Sequence, residues 1–409
     1  MKALVLAGGY PQIALINELK SRGITVLLAD YYEHPVARKY ADKFYQVSTL
    51  DVDAITDVAK KEKVDFLITA FTDQALLTVA KVSEILSLPC YIDYKTALNV
   101  TNKSYMKEVF AKNGISTAKH LIMAELDEQL IKDLRYPCIV KPVDCNSSKG
   151  VKKVCNLNEL KVAFSDAVSF SRTNTAIIEE FIEGQEITVD VQVVDGKAYV
   201  LSKAYSDKIP DNDKFVIFRT RYPVVECDFV HQQIQETAQQ IADAFGLKNS
   251  MMLIQMISDG KKVYVLEFSA RTGGGVKYQL VKRVSGFDVV KAVVDLTLGK
   301  KPQIITCPPE SNYISNVFIY CKPGKFDHLE GFDQLKEQNI LSDYFLFKWK
   351  GAQMENATNS GDRIAGFTIQ ADTLEELQYK YNHALLNIKV LDENGNDIMR
   401  HDLLSPLEY

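Results

Sequence analysis

The segment Val263-Tyr-Val-Leu-Glu-Phe-Ser-Ala-Arg271, followed by Thr272-Gly-Gly-Gly275, predicts a buried β-strand that ends in polar side chains. Because alternate residues of a strand point the same way, Glu267, Ser269 and Arg271 are expected to face one site together. A carboxylate and a hydroxyl are hard oxygen ligands suited to Mg²⁺, and a guanidinium group holds phosphoryl oxygens. The strand is therefore expected to carry a metal and phosphoryl site.

A second apolar run precedes this strand and is predicted to pair with it. Met251-Met-Leu-Ile254 ends at Gln255, and the intervening Asp259-Gly260 is typical of a hairpin turn. Such a turn brings Gln255 beside Glu267, so both side chains are expected to contribute to the same site.

Composition places the chain among ordinary globular proteins. Its 409 residues predict two or three domains. The net charge of -5 gives no electrostatic footprint for nucleic acid or a membrane surface, and no apolar run reaches the length of a membrane span. The seven cysteines include no Cys-x-x-Cys pair, so reduced structural thiols and a cytoplasmic location are expected.

Strand and helix patterns alternate over residues 1–95, which predicts a Rossmann-like parallel sheet in an α/β domain. Gly8-Gly9 and Asp30 resemble part of a dinucleotide fingerprint, but the third glycine is missing. A Rossmann-like module that forms one wall of a cleft is therefore favoured over a nicotinamide-binding domain. Residues 96–305 form the next predicted domain, and a proline-rich stretch near 302–309 separates it from a mixed α+β pattern over residues 306–409.

Two polar segments in the middle of the chain each allow two interpretations. Lys141 ends a short apolar strand, and the small polar loop Ser147-Ser-Lys-Gly150 follows it. The backbone N–H groups of this loop are suited to binding an anion. The alternative interpretation is an ordinary surface loop. The acidic stretch from Glu179 to Glu186 is suited to reading an adenine edge and ribose hydroxyls, or is a solvated turn.

Substrate contacts are expected from two further places. Arg219 and Arg221 are spaced to share one strand face, where they suit a substrate carboxylate or form a basic edge strand. Thr272, Gly273 and Gly274 allow a substrate to approach the backbone closely, although a hinge is the competing interpretation.

In order and spacing these segments resemble the ATP-grasp superfamily. The matching pieces are Asn102-Lys103, Lys112-Asn-Gly-Ile115, Ile139-Val-Lys-Pro142, Ser148-Lys-Gly-Val151, Ile178-Glu-Glu-Phe-Ile-Glu-Gly-Gln-Glu186, Gln255 and Glu267-Phe-Ser-Ala-Arg271. The resemblance covers roughly residues 1–300. It implies a two-part grasp domain, with a small lid subdomain over about residues 115–185 and a larger one over about 186–305. Residues 306–409 resemble the small C-terminal domain of carboxylate–amine ligases.

The resemblance also implies a role for each matching residue. ATP contacts are implied for Lys103, Lys141, Ser147, Ser148, Lys149, Gly150, Val151, Glu179, Glu180, Phe181, Ile182 and Glu186. The metal ligands are Gln255, Glu267 and Ser269, which would hold two Mg²⁺ ions or Mn²⁺. The catalytic groups are Lys141, Glu267 and Arg271, with Arg271 stabilising the transferred phosphoryl group.

The implied reaction is that of an ADP-forming ligase, which activates a carboxylate as an acyl phosphate and joins it to an amine. Small-molecule carboxylates and amines are the implied partners, and similar ligases are commonly homodimers. Three alternatives stay open: a phosphoribosylglycinamide synthetase, a carbamoyl phosphate synthetase-like enzyme, and a nucleotide-binding protein with weak catalysis. Gln255 favours the second alternative because carbamoyl phosphate synthetases use glutamine there. Gln255 and Ser269 together motivate the third, since an acid and an asparagine are commoner at these positions.

Overall fold

A computed structural model describes residues 1–145, 149–210 and 215–407. Its N-terminal part is a parallel sheet covered by helices, as predicted. The strands, in the spatial order β3-β2-β1-β4, are β1 (Lys2–Leu6), β2 (Thr25–Asp30), β3 (Lys43–Gln46) and β4 (Phe66–Ile68). The helices are α1 (Pro11–Ser21), α2 (Val52–Glu62), α3 (Asp73–Leu86) and α4 (Tyr94–Thr101).

The glycine turn after β1 is tied to the end of β2. Gly8 N–H donates to Asp30 Oδ2 at 2.5 Å, and Tyr32 N–H donates to Asp30 Oδ1 at 2.7 Å. A Cβ atom at Gly8 would lie 2.6 Å from Pro35 Cβ, so the tight turn requires glycine. Asp30 therefore holds the turn together through both of its carboxylate oxygens.

A small antiparallel sheet forms the second part of the molecule. Its order is β5-β8-β6-β7, with β5 (His120–Met123), β6 (Cys138–Pro142), β7 (Lys152–Val154) and β8 (Ala176–Glu180). Its helices are α5 (Lys103–Lys112), α6 (Glu128–Ile131) and α7 (Leu157–Phe170). The Asn102 side chain accepts from Tyr105 N–H at 3.1 Å and caps α5. The cap places Lys103 at the first turn, facing the cleft between this small sheet and the largest sheet.

The largest sheet is antiparallel and has eight strands in the order β13-β12-β9-β10-β11-β14-β18-β16. These are β9 (Gln185–Val194), β10 (Lys197–Lys208), β11 (Ile217–Tyr222), β12 (Ser250–Ser258), β13 (Val263–Ser269), β14 (Tyr313–Ile319), β16 (Asp343–Leu346) and β18 (Ala365–Ala371). Helices α8 (Asp228–Ala244), α9 (Lys277–Ser285) and α10 (Val289–Thr297) belong to the same part of the chain.

The sheet continues across the predicted boundary at residue 306. Strand β14 pairs with β11, with Arg219 opposite Val317, so the C-terminal segment extends the larger sheet. The rest of this segment contains a three-stranded sheet, ordered β17-β15-β19, and two helices. These elements are β15 (Gly324–Glu330), β17 (Gln353–Met354), β19 (Lys389–Asp392), α11 (Phe332–Glu337) and α12 (Leu374–Asn387).

The sequence pattern predicts helices over residues 287–298 and 374–390, and the structure contains both with different bounds. Helix α10 begins at Val289, where the Asp288 side chain accepts from two backbone N–H groups. Helix α12 ends at Asn387, because the buried Ile388 is extended and leads into β19. Helix α9 was not predicted; it begins one residue after three consecutive glycines.

Candidate functional site

The predicted hairpin of β12 and β13 is confirmed. Gln255 lies opposite Glu267 in the pairing register, and on its other side Gln255 lies opposite Thr188 of β9. The turn contains Gly260 at a φ of +82°, a conformation that favours glycine. Three neighbouring strands thus bring one amide, one carboxylate and one hydroxyl to the same region of the sheet.

Three lysines approach this region from the small sheet and helix α5. Lys103 Nζ lies 3.0 Å from Glu267 Oε2 and donates to the Cys145 carbonyl at 2.6 Å. Lys141 Nζ lies 2.5 Å from Glu179 Oε2, and Lys107 Nζ lies 2.6 Å from Glu179 Oε1. Lys107 was not predicted, because the sequence shows only a lysine on an amphipathic helix. Its contact with Glu179 depends on strand β8 lying beside helix α5.

Glu179 is buried between Lys141 and Lys107. Burial by itself would raise the pKa of this carboxyl, but the two lysines outweigh burial and lower its pKa to about 2. The structure thus places Glu179 in a charged triad at the wall of the cleft. Its predicted contact with an adenine amino group stays a prediction.

The triad makes a testable contribution to stability. Because the folded pKa of Glu179 is depressed, its contribution is present above about pH 4.5 and is lost as pH falls through about 2. Glu179→Gln leaves two lysines without their carboxylate, so we expect roughly 3–5 kcal/mol of lost stability near neutral pH. Melting temperatures measured from pH 7 to pH 2 should also fall less steeply in the variant. Glu337→Gln on the exposed surface serves as control; an unchanged melting temperature in Glu179→Gln would contradict the triad.

One cleft between the small sheet and the large sheet contains most of the predicted nucleotide residues. Its lining residues are Lys103, Ala118, Ile139, Lys141, Pro142, Cys145, Lys149, Val151, Glu179, Glu180, Phe181, Ile182, Glu186, Lys208, Phe215, Gln255, Ile257, Leu266 and Glu267. The apolar members suit a flat ring, and Lys103 and Lys141 are the positive charges that act on Glu267. We call this the first cleft. Ser147 and Ser148, predicted to contact phosphates, lie outside the described residues.

Gly150 and Glu186 stand at defined positions beside the first cleft. Gly150 has a φ of +72°, and a Cβ there would lie 2.9 Å from both Phe170 and Pro142. Glu186 Oε2 lies 2.8 Å from Lys208 Nζ, and its Oε1 accepts from Gln255 Nε2 at 3.2 Å. Lys208, which sequence reasoning missed, thus fixes the carboxylate predicted to bind ribose.

A second cleft adjoins the first and shares Gln255 and Glu267 with it. Its further lining residues are Phe71, Thr72, Asp73, Gln74, Thr188, Ile217, Thr220, Leu253, Ser269, Arg271, Gly274, Gly275, Lys277, Phe318, Ser360, Gly361 and Arg363. Glu267, Ser269 and Arg271 therefore line one cleft together, and their roles as metal and phosphoryl ligands stay predictions. Asp73 and Arg363 were absent from the predicted site, since they come from distant segments of the chain.

The N-terminal α/β domain supplies a carboxylate to the second cleft. Asp73, the first residue of α3, pairs with Arg271 and is hydrogen-bonded by Ser269. Burial alone would raise the pKa of Asp73, but Arg271 and Ser269 lower it below its usual range. Arg271 also donates to the Thr272 carbonyl at 2.7 Å. The predicted phosphoryl-binding arginine is thus oriented by the N-terminal module.

The predicted metal ligands offer oxygen atoms only. Gln255 and Glu267 are cross-strand neighbours, and Ser269 lies two residues beyond Glu267 on the same face. Amide, carboxylate and hydroxyl oxygens suit Mg²⁺. Among the described residues no group of three or more His, Cys, Asp or Glu side chains forms a metal site. The set therefore fits magnesium held jointly by protein and triphosphate.

Arg219 and Arg221 lie beside the first cleft, on a central strand. Both contact Asp207 Oδ2, at 2.6 and 2.8 Å, and Arg219 also donates to the Ser405 and Pro406 carbonyls at 3.0 Å each. The interpretation of a basic edge strand is wrong, because β10 and β14 flank β11. Substrate binding by this pair stays a prediction, but its buried guanidinium groups already hold Asp207 and the C-terminal segment.

Of the predicted substrate residues after β13, Gly274 lines the second cleft, whereas Thr272 and Gly273 line a small separate cavity. The Thr272 side chain is buried. A Cβ at Gly273 would lie 2.8 Å from Lys277 Cγ, so glycine permits close packing there. A Cβ at Gly274 would meet only the Phe71 carbonyl, at 3.5 Å. Of the two, Gly273 is the one whose lack of a side chain the packing requires.

Comparison with known proteins agrees with this arrangement. Residues 108–273 match the family described as D-ala D-ala ligase C-terminus. The formate-dependent phosphoribosylglycinamide formyltransferase of Methanocaldococcus jannaschii is 25% identical over 401 residues, covering 94% of this chain and 96% of that protein.

Two solved structures share the fold. The L-amino acid ligase of Bacillus licheniformis superposes with a TM-score of 0.79 at 20% identity, covering 96% of this chain and 99% of the other. The biotin carboxylase domain of 2-oxoglutarate carboxylase from Hydrogenobacter thermophilus, solved as a dimer with MgADP, ADP and bicarbonate, has a TM-score of 0.78 at 16% identity, covering 98% and 92%.

The family match over residues 108–273 and these relatives agree with the resemblance of the sequence to ATP-grasp carboxylate–amine ligases. The shared fold of these two structures covers nearly the whole chain, from the N-terminal parallel sheet to the C-terminal segment. Within the residues that the structure describes, no helix is both long and apolar enough to span a bilayer.

Proposed function

We propose that this protein is an ATP-dependent, ADP-forming ligase that activates a small carboxylate as an acyl phosphate and then joins it to an amine. The observation that carries the proposal is the pair of adjoining clefts that meet at Gln255 and Glu267. A nucleotide in the first cleft would direct its terminal phosphate toward a carboxylate in the second.

The proposed phosphoryl transfer depends on positioning and charge rather than on a covalent protein nucleophile. Lys103 and Lys141 would hold phosphate oxygens near Glu267. Arg271, held by Asp73, would neutralise charge on the group in transfer. Gln255, Glu267 and Ser269 would hold Mg²⁺ or Mn²⁺, two ions by the family pattern, and the metal would supply Lewis-acid stabilisation of the phosphates.

The second cleft has the charge expected of a carboxylate site. Arg271 and Arg363 line it, and Arg363 lies with its guanidinium carbon 3.8 Å from the centre of the Phe318 ring. The nearby aromatic and aliphatic side chains suit a substrate with an apolar part. These features support a small organic acid as the first substrate.

A purine-pathway activity is the second candidate. The formyltransferase of M. jannaschii matches this chain almost end to end, and a phosphoribosylglycinamide synthetase of Anaerococcus prevotii has a TM-score of 0.75 at 19% identity over 96% of this chain. Both candidates consume ATP at the same site, and they differ in the carboxylate and the amine that the second cleft accepts. A homodimer, like the dimer of the biotin carboxylase domain, belongs to the same proposal.

The test is a matrix of carboxylates and amines incubated with MgATP, with ADP and product measured together. Amino acids, formate, glycine and phosphoribosylamine-type acceptors should be included so that both candidates are sampled. ADP release that requires one carboxylate and one amine, with an amide as product, would support the ligase. Nucleotide binding in calorimetry without turnover across the matrix would instead favour the non-catalytic alternative raised by Gln255 and Ser269.

A further inference from the structure

The first strand of the large sheet, β9, places three polar side chains in a row. Glu186, Thr188 and Asp190 alternate with Ile187 and Val189, so they share one face of the strand. Glu186 lines the first cleft and Thr188 the second. Asp190 lies farther along, buried beneath Thr272 and Gly273, in a small cavity below the second cleft.

Lys277 reaches the same row from helix α9. It is the first residue of that helix and is only 8% exposed, yet it lines the second cleft. Its amine donates to the Thr188 hydroxyl, which in turn donates to the Ala204 carbonyl at 3.2 Å. Over residues 1–145, 149–210 and 215–407, Lys277 forms no direct ion pair.

The surroundings of Lys277 favour its uncharged form. Burial lowers the pKa of Lys277 and Arg363 adds to that effect, while Asp190 and Glu186 act in the opposite direction. The position at the N-terminal end of a helix disfavours a cation further. A lysine whose pKa is lowered in this way carries a free lone pair, able to accept a proton, more often than an exposed lysine does.

Asp190 complements this lysine. Burial raises the pKa of Asp190 to about 6, against the opposing effects of Lys277 and Arg271. Within the described part of the chain its Oδ2 atom is buried without a hydrogen-bond partner. A carboxylate so placed gains a favourable interaction whenever Lys277 becomes charged, because the lysine is the largest source of positive charge acting on it.

The proposed reaction requires such a group. An aliphatic amine is an ammonium ion at neutral pH, and an ammonium ion has no lone pair with which to attack an acyl phosphate. The role predicted for Gln255, Glu267, Ser269 and Arg271 is to serve the phosphoryl group, so none of them is assigned to the proton of the amine.

We propose that Lys277 is the general base that deprotonates the incoming amine in the second cleft, with Asp190 stabilising the lysine once it is charged. This assignment rests on the proposed ligase function. The ammonium N–H bond breaks and its proton moves to the Lys277 amine. The freed nitrogen then forms a C–N bond with the acyl carbon, the C–O bond to phosphate breaks, and the second amine proton leaves with the phosphate. Lys277 returns its proton to water.

Hydroxylamine separates this role from every earlier step. It is largely unprotonated at neutral pH, so it attacks an acyl phosphate without a base and gives a hydroxamate, which is measured as its coloured ferric complex. Lys277→Arg keeps the positive charge but removes the base, since arginine stays protonated. We expect amine ligation to fall roughly 10²- to 10⁴-fold, while hydroxamate formation stays within a few-fold of wild type. Lys282→Arg, an exposed substitution on the same helix, is the matched control.

The pH profile gives a second readout that a structural role would not move. Ligation by Lys277→Arg should rise about tenfold per pH unit toward the pKa of the amine itself, because solvent then deprotonates the nucleophile. In the wild-type enzyme the ligation rate should reach its plateau at a lower pH than in this variant. Asp190→Asn should shift that plateau to lower pH, since a neutral partner no longer stabilises charged Lys277.

The outcomes are distinguishable. Normal amine ligation by Lys277→Arg contradicts the assignment of Lys277 as the general base and indicates that this residue only binds a substrate carboxylate. Loss of both ligation and hydroxamate formation in a folded, nucleotide-binding variant also overturns it, because the defect then precedes the acyl phosphate. Failure of the wild-type enzyme to form any hydroxamate across the carboxylate panel overturns the proposed function itself.

Discussion

Glu267→Ala should reduce turnover by at least about 10³-fold, which corresponds to roughly 4 kcal/mol of transition-state stabilisation. Glu267 is the carboxylate among the three predicted metal ligands, and it belongs to both clefts. It also neutralises Lys103, whose amine lies 3.0 Å away. Steady-state ADP release with saturating MgATP measures the effect.

Two companion variants sharpen this prediction. Glu267→Gln keeps the shape of the side chain and removes only its charge, so a similar loss would assign the effect to metal and phosphate charge. Glu337→Gln on helix α11 is an exposed control that should leave turnover unchanged. Turnover within a few-fold of wild type for Glu267→Ala, with the protein folded, would show that the metal site lies elsewhere.

Arg271→Ala should slow phosphoryl transfer by roughly 10³-fold or more, since an arginine on a transferring phosphoryl group contributes on that scale. The structure adds a specific expectation for its partner. Asp73 orients Arg271, so Asp73→Asn should lower the transfer rate less severely while leaving nucleotide affinity nearly unchanged. Single-turnover formation of ADP, with the acyl phosphate trapped by hydroxylamine, measures the step directly.

Arg271→Lys distinguishes charge from geometry. Lysine keeps the positive charge but lacks the planar fork that contacts two oxygens at once, so most of the loss should remain. Arg135→Lys, at an exposed position, is the control. If Arg271→Lys and Arg271→Ala both transferred phosphoryl groups normally, Arg271 would have no contact with the reacting group.

Sequence reasoning succeeded where the argument was local. The alternation of strands and helices up to Leu86 predicted the parallel N-terminal sheet, and the turn at Asp259-Gly260 predicted that Gln255 would face Glu267. The period of two along β13 predicted that Glu267, Ser269 and Arg271 would share one cleft. Each inference needed only backbone geometry and neighbouring residues.

The remaining members of the site depend on contacts between distant segments. Asp73 lies 198 positions from Arg271 in the chain, and Lys277 lies 89 positions from Thr188. The spacing of Arg219 and Arg221 correctly predicted that they share one face of a strand. It did not reveal that their guanidinium groups bind Asp207 and, for Arg219, the C-terminal segment.

The sequence by itself therefore determined which side chains of each strand point together, because side-chain direction follows from the pleat of the backbone. Only the tertiary structure decided which strands, helix ends and loops meet. That choice brought Asp73 to Arg271, Lys107 to Glu179 and Lys277 to Thr188. The physical reason is that the packing of the sheets and the burial of their apolar faces determine which segments come into contact. The charged side chains of the site interact only after this packing has brought them together.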